Sequence, residues 1–443
     1  MSHRFSRYRT ISIIIVCIIT IGICCKLYAN GNNNTHTSTI SHIIPHNVLT
    51  PKPVNSPTVL GEFWHNFTHN LFKPLLLFFY LGFLIPILQV QFEFPYTIYQ
   101  GLTIYLLIAI GWHGGKELST LDPSVIGGVL GFLIVGFITN AIIGVLSYFG
   151  LSLMTRMRSI DKATVAGYYG SDSAGTFVTC VGVLGTMHIL YDAYMPVMLA
   201  VMEIPGCLVA LILVSRLRNN GMDKRGSMPY EIGYDITCKI LNGNEEAVEA
   251  EENLALEHTE HHNQYKPKSN GVFSLQMLHE VFLNPGLFLL FGGIIVGYIS
   301  GLQSKETIAD NFFVSIFQGI LCLFLLEMGM TASKKLKDLI AAGPGFIVFA
   351  IFAPNVFATI GILIAHAYSN IIHMHFELGT YVLFSVLCAA ASYIAVPAVQ
   401  RLAIPEASPT LPLAASLGLT FTYNVTIGIP VYIEIAKYLT QRI

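Results

Sequence analysis

The residues most able to do chemistry lie in Gly167–Thr179, which reads Gly-Tyr-Tyr-Gly-Ser-Asp-Ser-Ala-Gly-Thr-Phe-Val-Thr between two long apolar runs. An acid such as Asp172 costs at least ~2.5 kcal/mol at the centre of a membrane helix, so its presence there calls for a purpose. Hydroxyls at Ser171, Ser173 and Thr176 can donate to a small oxyanion or coordinate a hard cation, and Asp172 brings the negative charge a sodium ion needs. Glycines and hydroxyls also favour a break in the helix, after which a half-helix would point its positive end at an anion. The competing reading is a packing face of small residues whose hydroxyls bond back along the helix; packing alone does not call for Asp172.

Other polar residues sit in comparable surroundings. Glu203, in Val-Met-Glu-Ile-Pro-Gly, is a second intramembrane acid fit to bind a cation, carry a proton or serve a structural hydrogen bond. Glu327 lies near the basic Lys334, Lys335 and Lys337, where an ion pair competes with a functional role. Ala391-Ser392-Tyr393 followed by Pro397 forms a second interruption. Asn424 with Thr420, Thr422 and Thr426 forms an amide and hydroxyl row at helical spacing, suited to a site or to bonding between helices. Trp112 and His113, beside Gly114-Gly115, are expected at a membrane interface.

The elements that must position these residues are membrane helices. Hydrophobic residues make up 53% of the chain and charged ones 11%, and mean hydropathy is +0.61, which excludes an ordinary soluble domain. There is no basic groove for nucleic acid. Seven of the eight cysteines (Cys17, Cys24, Cys25, Cys180, Cys207, Cys322 and Cys388) fall in apolar segments without a CxxC pair, so neither a disulfide framework nor a zinc site is indicated. No enzyme motif is present.

Residues 1–29, with Arg4, Arg7 and Arg9 before the apolar run from Ile11 to Cys25, read as a signal peptide cleaved after Ala29 or as an uncleaved signal anchor. Residues 30–70 are a polar, Pro-containing exposed tether with a glycosylation sequon at Asn33-Asn34-Thr35. Five spans are expected over 71–217, centred on 71–90, 97–113, 125–154, 163–190 and 194–217. A charged loop at 218–274 carries an acidic tract and His258, His261 and His262, read as solvated, with metal binding as the alternative. Five more spans follow in 275–443, at 284–302, 312–333, 343–369, 378–402 and 410–439.

The two halves echo one another. Tyr99-Gln100-Gly101-Leu102 recurs as Phe317-Gln318-Gly319-Ile320, and Leu107, Gly111, Lys116 and Leu118 match Leu325, Gly329, Lys334 and Leu336 at the same offset. Five spans per half turn the second copy upside down, with interrupted helices in the fourth and ninth positions. Placing the end of span five in the cytoplasm gathers Arg156, Arg158, Lys162, Arg216, Arg218, Lys224, Arg225, Lys334, Lys335, Lys337 and Arg401 inside, in accord with the positive-inside rule.

The runs Gly170-Ser171-Asp172-Ser173-Ala174-Gly175-Thr176-Phe177, Met202-Glu203-Ile204-Pro205 and Ala391–Ala398, with Arg401–Ala407 and Ser416–Phe421, resemble the sodium-dependent bicarbonate transporter (SbtA-like) permease family. The resemblance spans about residues 70–440. It implies an all-α membrane protein of about ten core transmembrane helices in two inverted five-helix repeats with broken fourth and ninth helices. It further implies homotrimers, sodium-coupled bicarbonate uptake, and a cytoplasmic loop between spans five and six where a PII-like regulator docks in cyanobacterial members. Carried over by position, Ser171, Ser173, Thr176 and Ser392 would hold the anion, and Asp172, Glu203 and Asn424 are the sodium-ligand candidates. The chain departs from the cyanobacterial pattern in two places. The serine-rich run before an aspartate in span nine is here Ala389-Ala390-Ala391-Ser392-Tyr393, and Asp172 stands where the family is usually uncharged.

The expected function is sodium-driven import of a small anion, bicarbonate first, by alternating access in the cell membrane, with no cofactor beyond Na+ as coupling ion. Alternatives are a transporter of another small anion, a proton-coupled exchanger using Asp172 and Glu203, or a membrane receptor or scaffold acting through the 218–274 loop.

Overall fold

A computed structural model describes residues 74–234, 285–302, 308–339, 343–393, 396–397, 400 and 403–442. The N-terminal element, most of the tether, the histidines of the charged loop and Arg401 lie outside the described residues. Within them the chain is helical, without strand. The helices are α1 (Pro74–Ile87), α2 (Tyr96–Leu118), α3 (Ile126–Met154), α4 (Ser159–Tyr169), α5 (Ala174–Thr186), α6 (Met195–Met202) and α7 (Ile204–Asn219). After the loop come α8 (Pro285–Leu302), α9 (Phe317–Leu339), α10 (Pro344–Ile372), α11 (Leu378–Ala389) and the helical run α12 (410–442).

Among the described residues three stretches are long and apolar enough to cross a bilayer by themselves: Ile126–Met154, Met195–Asn219 and Pro344–Ile372. Along α3, Ile126, Leu130, Ile134, Ile138 and Ile142 recur every fourth residue and are all exposed. That spacing places them on one stripe, which lipid rather than water would cover. The opposite side of α3 is buried: Phe132 stands among Tyr194, Tyr368, Phe376 and Phe384, and Tyr368 Oη donates to the Gly128 carbonyl at 2.8 Å.

Because lipid tails compete for apolar surface, helices in a membrane associate through close packing at small residues. Here α1 runs along α9 and α2 along α8. Gly82 of α1 abuts the Leu326 carbonyl, and Gly329 of α9 abuts the backbone of Phe79 and Phe83. In the second pair, a Cβ on Gly293 would stand 2.9 Å from the Ile108 carbonyl and 3.2 Å from the Cα of Gly111. Gly111 and Gly329, equivalent in the sequence repeat, thus each receive the first helix of the other half.

Two features add to the sequence expectation. Trp112 is buried, donating from its indole nitrogen to Asp310 at 3.0 Å, while Lys116 pairs with the same carboxylate at 2.6 Å. An acid from the later part of the chain thus fixes this end of α2. The charged loop also begins as folded chain. Met222, Asp223 and Met228 are buried, Asp223 accepts the Arg225 and Ser227 amides, and Glu231 accepts Ser159 N and Oγ at the start of α4. Arg218 reaches both oxygens of Glu406 at 2.8 and 2.9 Å, and Arg158 grips Asp161, whose Oδ1 also accepts Ser408 N. The ends of spans three and five are thereby tied to the segment preceding α12. At the opposite ends of these helices, Asp192 accepts Thr380 Oγ1 at 2.7 Å and Glu377 N at 3.3 Å, holding the start of α11.

Candidate functional site

Three interruptions meet inside the bundle. Span four is helical to Tyr169, breaks over Gly170–Ser173 and resumes at Ala174. Ser173 has extended backbone and N-caps α5, its Oγ accepting Thr176 N at 3.3 Å and Thr176 Oγ1 at 3.0 Å. An N-cap oxygen satisfies one of the amides that a helix start leaves open, so the hydroxyls foreseen here also fix the orientation of the half-helix.

Span five breaks at Glu203, between α6 and α7. Pro205 has no amide hydrogen to offer the preceding turn, so carbonyls there need other donors. Asn140 Nδ2 donates to the Met202 carbonyl at 2.8 Å and Ser171 Oγ to the Glu203 carbonyl at 2.7 Å. These two bonds seat Glu203 beside the break in span four. Asp172 is within electrostatic reach of Glu203, and of Cys388 in the last turn of α11.

Span nine stops at Ala389, with Ala390–Tyr393 non-helical. The Ser392 amide donates to the Tyr168 carbonyl at 2.8 Å, joining the breaks of spans four and nine. The Tyr393 ring rests against Gly175, where any Cβ would coincide with its hydroxyl. From α12, Asn424 Nδ2 donates to the Ala389 carbonyl at 3.0 Å and Asn424 Oδ1 accepts Tyr432 Oη at 2.7 Å. Asn424 therefore holds the end of α11. The turns of α12 at Ala414–Phe421 and Asn424–Gly428 are widened, an irregularity frequent at functional sites.

The breaks come this close because three glycines share one crossing. A Cβ on Gly170 would lie 2.8 Å from the Cα of Gly144, 3.0 Å from that of Gly206 and 3.1 Å from the Asn140 carbonyl. No side chain fits there.

Ser171, Asp172, Ser173, Thr176, Glu203, Ser392 and Asn424 are all buried. Their polar atoms divide into two groups. Ser171, Ser173, Thr176 and Asn424 have hydrogen bonds within the protein. Both oxygens of Asp172, Ser392 Oγ and Tyr393 Oη accept or donate none among the described residues. Burying an ionised carboxylate without a partner costs several kcal/mol, so Asp172 needs a cation, a proton or a donor that the described side chains do not supply. Buried carboxylate oxygens without partners, among other oxygen-bearing side chains, suit a hard monovalent cation. The first turn of α5 and the free Ser392 hydroxyl suit a small oxyanion.

The remaining candidates have partners of their own, and Thr420 also meets Tyr169 Oη at 2.6 Å beside the span-four break. Glu327 accepts Thr331 Oγ1 at 2.8 Å on its own helix. Thr426 donates to the Thr422 carbonyl and Thr420 to the Ala350 carbonyl, so much of the foreseen hydroxyl row is consumed by backbone. Asn140 and the glycine crossing were missed by the sequence reading. A lone amide in the 29-residue apolar α3 was the available signal for Asn140.

The family model described as the Na+-dependent bicarbonate transporter superfamily matches residues 74–437. No curated protein matches the chain at a significant level.

Proposed function

Since the chain belongs to the Na+-dependent bicarbonate transporter superfamily, we propose that it is a sodium-coupled secondary transporter importing a small monoanion, bicarbonate first. The observation that carries this reading is the meeting of two broken spans that buries the Asp172 carboxylate and the Ser392 hydroxyl, both without a hydrogen-bond partner among the described residues. Sodium and anion bound together neutralise one another, so neither enters low dielectric as a bare charge.

In this reading Asp172 and Glu203 supply the charge for sodium, and Asn424 keeps a second lone pair on Oδ1 as a ligand. Ser392, with Ser171, Ser173 and Thr176 around the start of α5, receives the anion. Exchange of Ser173, Thr176 and Ser171 from their internal bonds to substrate costs little, because one hydrogen bond replaces another.

The reciprocal glycine crossings of α1 with α9 and α2 with α8 support ten spans in two inverted repeats. Alternating access is then rocking of one bundle against the other, with the Arg218–Glu406 and Asp192–Thr380 contacts closing opposite ends in turn. A homotrimer in the cell membrane, and a PII-like regulator on the 218–274 loop, complete the proposal. The folded 220–234 segment gives such a regulator a mechanical connection to span four through Glu231 and Ser159.

The Asp172–Glu203 pair favours one second reading, exchange driven by protons. Equilibrium binding of labelled bicarbonate to purified protein separates the two. The proposal expects binding that requires Na+ and is not restored by lowering pH in choline chloride. Sodium-independent, acid-promoted binding would favour the exchanger.

A further inference from the structure

We infer that Asn140, through its side-chain oxygen, is a ligand of the coupling cation, so that the cation lies between α3 and the breaks of spans four and five. The inference rests on the sodium-coupled reading above and specifies which neutral residue completes its ion site.

Asn140 is fully buried and is the one amide side chain of a predominantly apolar helix. Its amide nitrogen is committed to the Met202 carbonyl at 2.8 Å, which fixes which way the side-chain amide faces. The oxygen then faces away from Met202 and accepts no hydrogen bond among the described residues. A buried amide oxygen without a donor is a net cost, and the helix would be better served by an apolar residue if packing were the only task.

Its surroundings say what kind of partner is missing. The residue after Met202 is Glu203. Gly170, two residues before Asp172, touches the backbone of Asn140 at the glycine crossing. Ser171 bonds the Glu203 carbonyl, which brings the span-four break onto the same spot. Three elements thus converge: α3 with a neutral acceptor, the span-five break with Glu203, and the span-four break with Asp172, whose oxygens have no partner among the described residues. The unmet atoms of Asn140 and Asp172 are all acceptors. An anion would satisfy such a set poorly and a single hydrogen-bond donor would meet one member of it, whereas a dehydrated hard cation takes several oxygen ligands of mixed charge. The glycines at 144, 170 and 206 bring the backbones near enough for side chains from α3, span four and span five to share one ion.

The test uses the full-length protein and sodium itself. Thermal stability of the purified protein in detergent is titrated with NaCl at constant ionic strength against choline chloride, alongside bicarbonate uptake into proteoliposomes. For Asn140→Ala the half-saturating Na+ concentration should rise roughly tenfold in both assays, the scale of one lost contact to a charge. The bicarbonate KM at saturating Na+ should stay within about twofold. Asn140→Asp keeps an oxygen but loses the donor to Met202, and should retain the sodium response.

A purely structural role reverses that order, because a carboxylate would repel the Met202 carbonyl and make Asn140→Asp the worse variant. That order, an unchanged sodium response in Asn140→Ala, or failure of both variants to fold would overturn the inference. Wild-type protein that shows no sodium response would instead overturn the sodium-coupled reading on which the inference rests.

Discussion

Gly170→Ala should damage transport far more than one added methyl suggests. The backbone at Gly170 has φ −82° and ψ 0°, which alanine adopts freely, so conformational strain does not enter. Space does. The new Cβ would meet the Cα of Gly144 at 2.8 Å, the Cα of Gly206 at 3.0 Å and the Asn140 carbonyl at 3.1 Å. All three are backbone atoms on packed helices, so no side chain can rotate away. Overpacking of this kind costs about 1–3 kcal/mol. If about 2 kcal/mol of that falls on the geometry joining Asp172 to Glu203, it corresponds to a roughly 30-fold loss, since 1.4 kcal/mol is tenfold. The assay is initial-rate uptake in proteoliposomes, with thermal unfolding measured on the same preparations. Gly101→Ala and Gly127→Ala serve as controls, because nothing lies within 4 Å of a Cβ at either position. They should transport normally and gain up to about 1 kcal/mol from the helix preference of alanine. Normal transport by Gly170→Ala would refute the view that close approach at this crossing assembles the site.

Further outcomes follow from the same geometry. Asp172→Asn should abolish sodium dependence and raise the melting temperature of the sodium-free protein, because an uncompensated buried charge is removed; a wild-type sodium titration would show the ion is held elsewhere. Ser392→Ala removes a buried hydroxyl that has no partner among the described residues, so it should stabilise the fold by about 1 kcal/mol while raising the bicarbonate KM roughly tenfold. A fall in stability with unchanged KM would remove Ser392 from the anion site. A double-mutant cycle of Arg218→Ala and Glu406→Gln should give a coupling of about 1 kcal/mol, held down because Arg218 is 31% exposed. A coupling near zero would mean that this contact does not join spans five and ten.

How much of this was legible in the sequence depended on whether a property was local. The interruption at Gly170–Ser173 was readable because an acid and three hydroxyls inside an apolar run have few other uses. Ser392 and Glu203 stood out for the same reason, and the bond from Ser392 to Tyr168 brings the two interruptions together. What escaped was pairwise. Nothing local distinguishes Gly144, Gly170 and Gly206 from the other glycines among 38, since their property is the backbone each one faces. The partner of Trp112, Asp310, could not be foreseen because it lies 198 residues away. The break at Glu203 was written in Ile204-Pro205-Gly206, yet the donors that make it tolerable come from α3 and the span-four break. Asn424 was legible by residue type as a polar group inside the bundle, whereas the partners of its amide, Ala389 and Tyr432, were not.

The measurement that bears most directly on the central claim is uptake of labelled bicarbonate into proteoliposomes with an inward Na+ gradient, compared with choline. Concentrative uptake that appears with the gradient, collapses when Na+ is equilibrated across the membrane, and is lost in Asp172→Asn is the predicted result. Uptake indifferent to Na+, or no bicarbonate uptake by protein that remains folded, would contradict it.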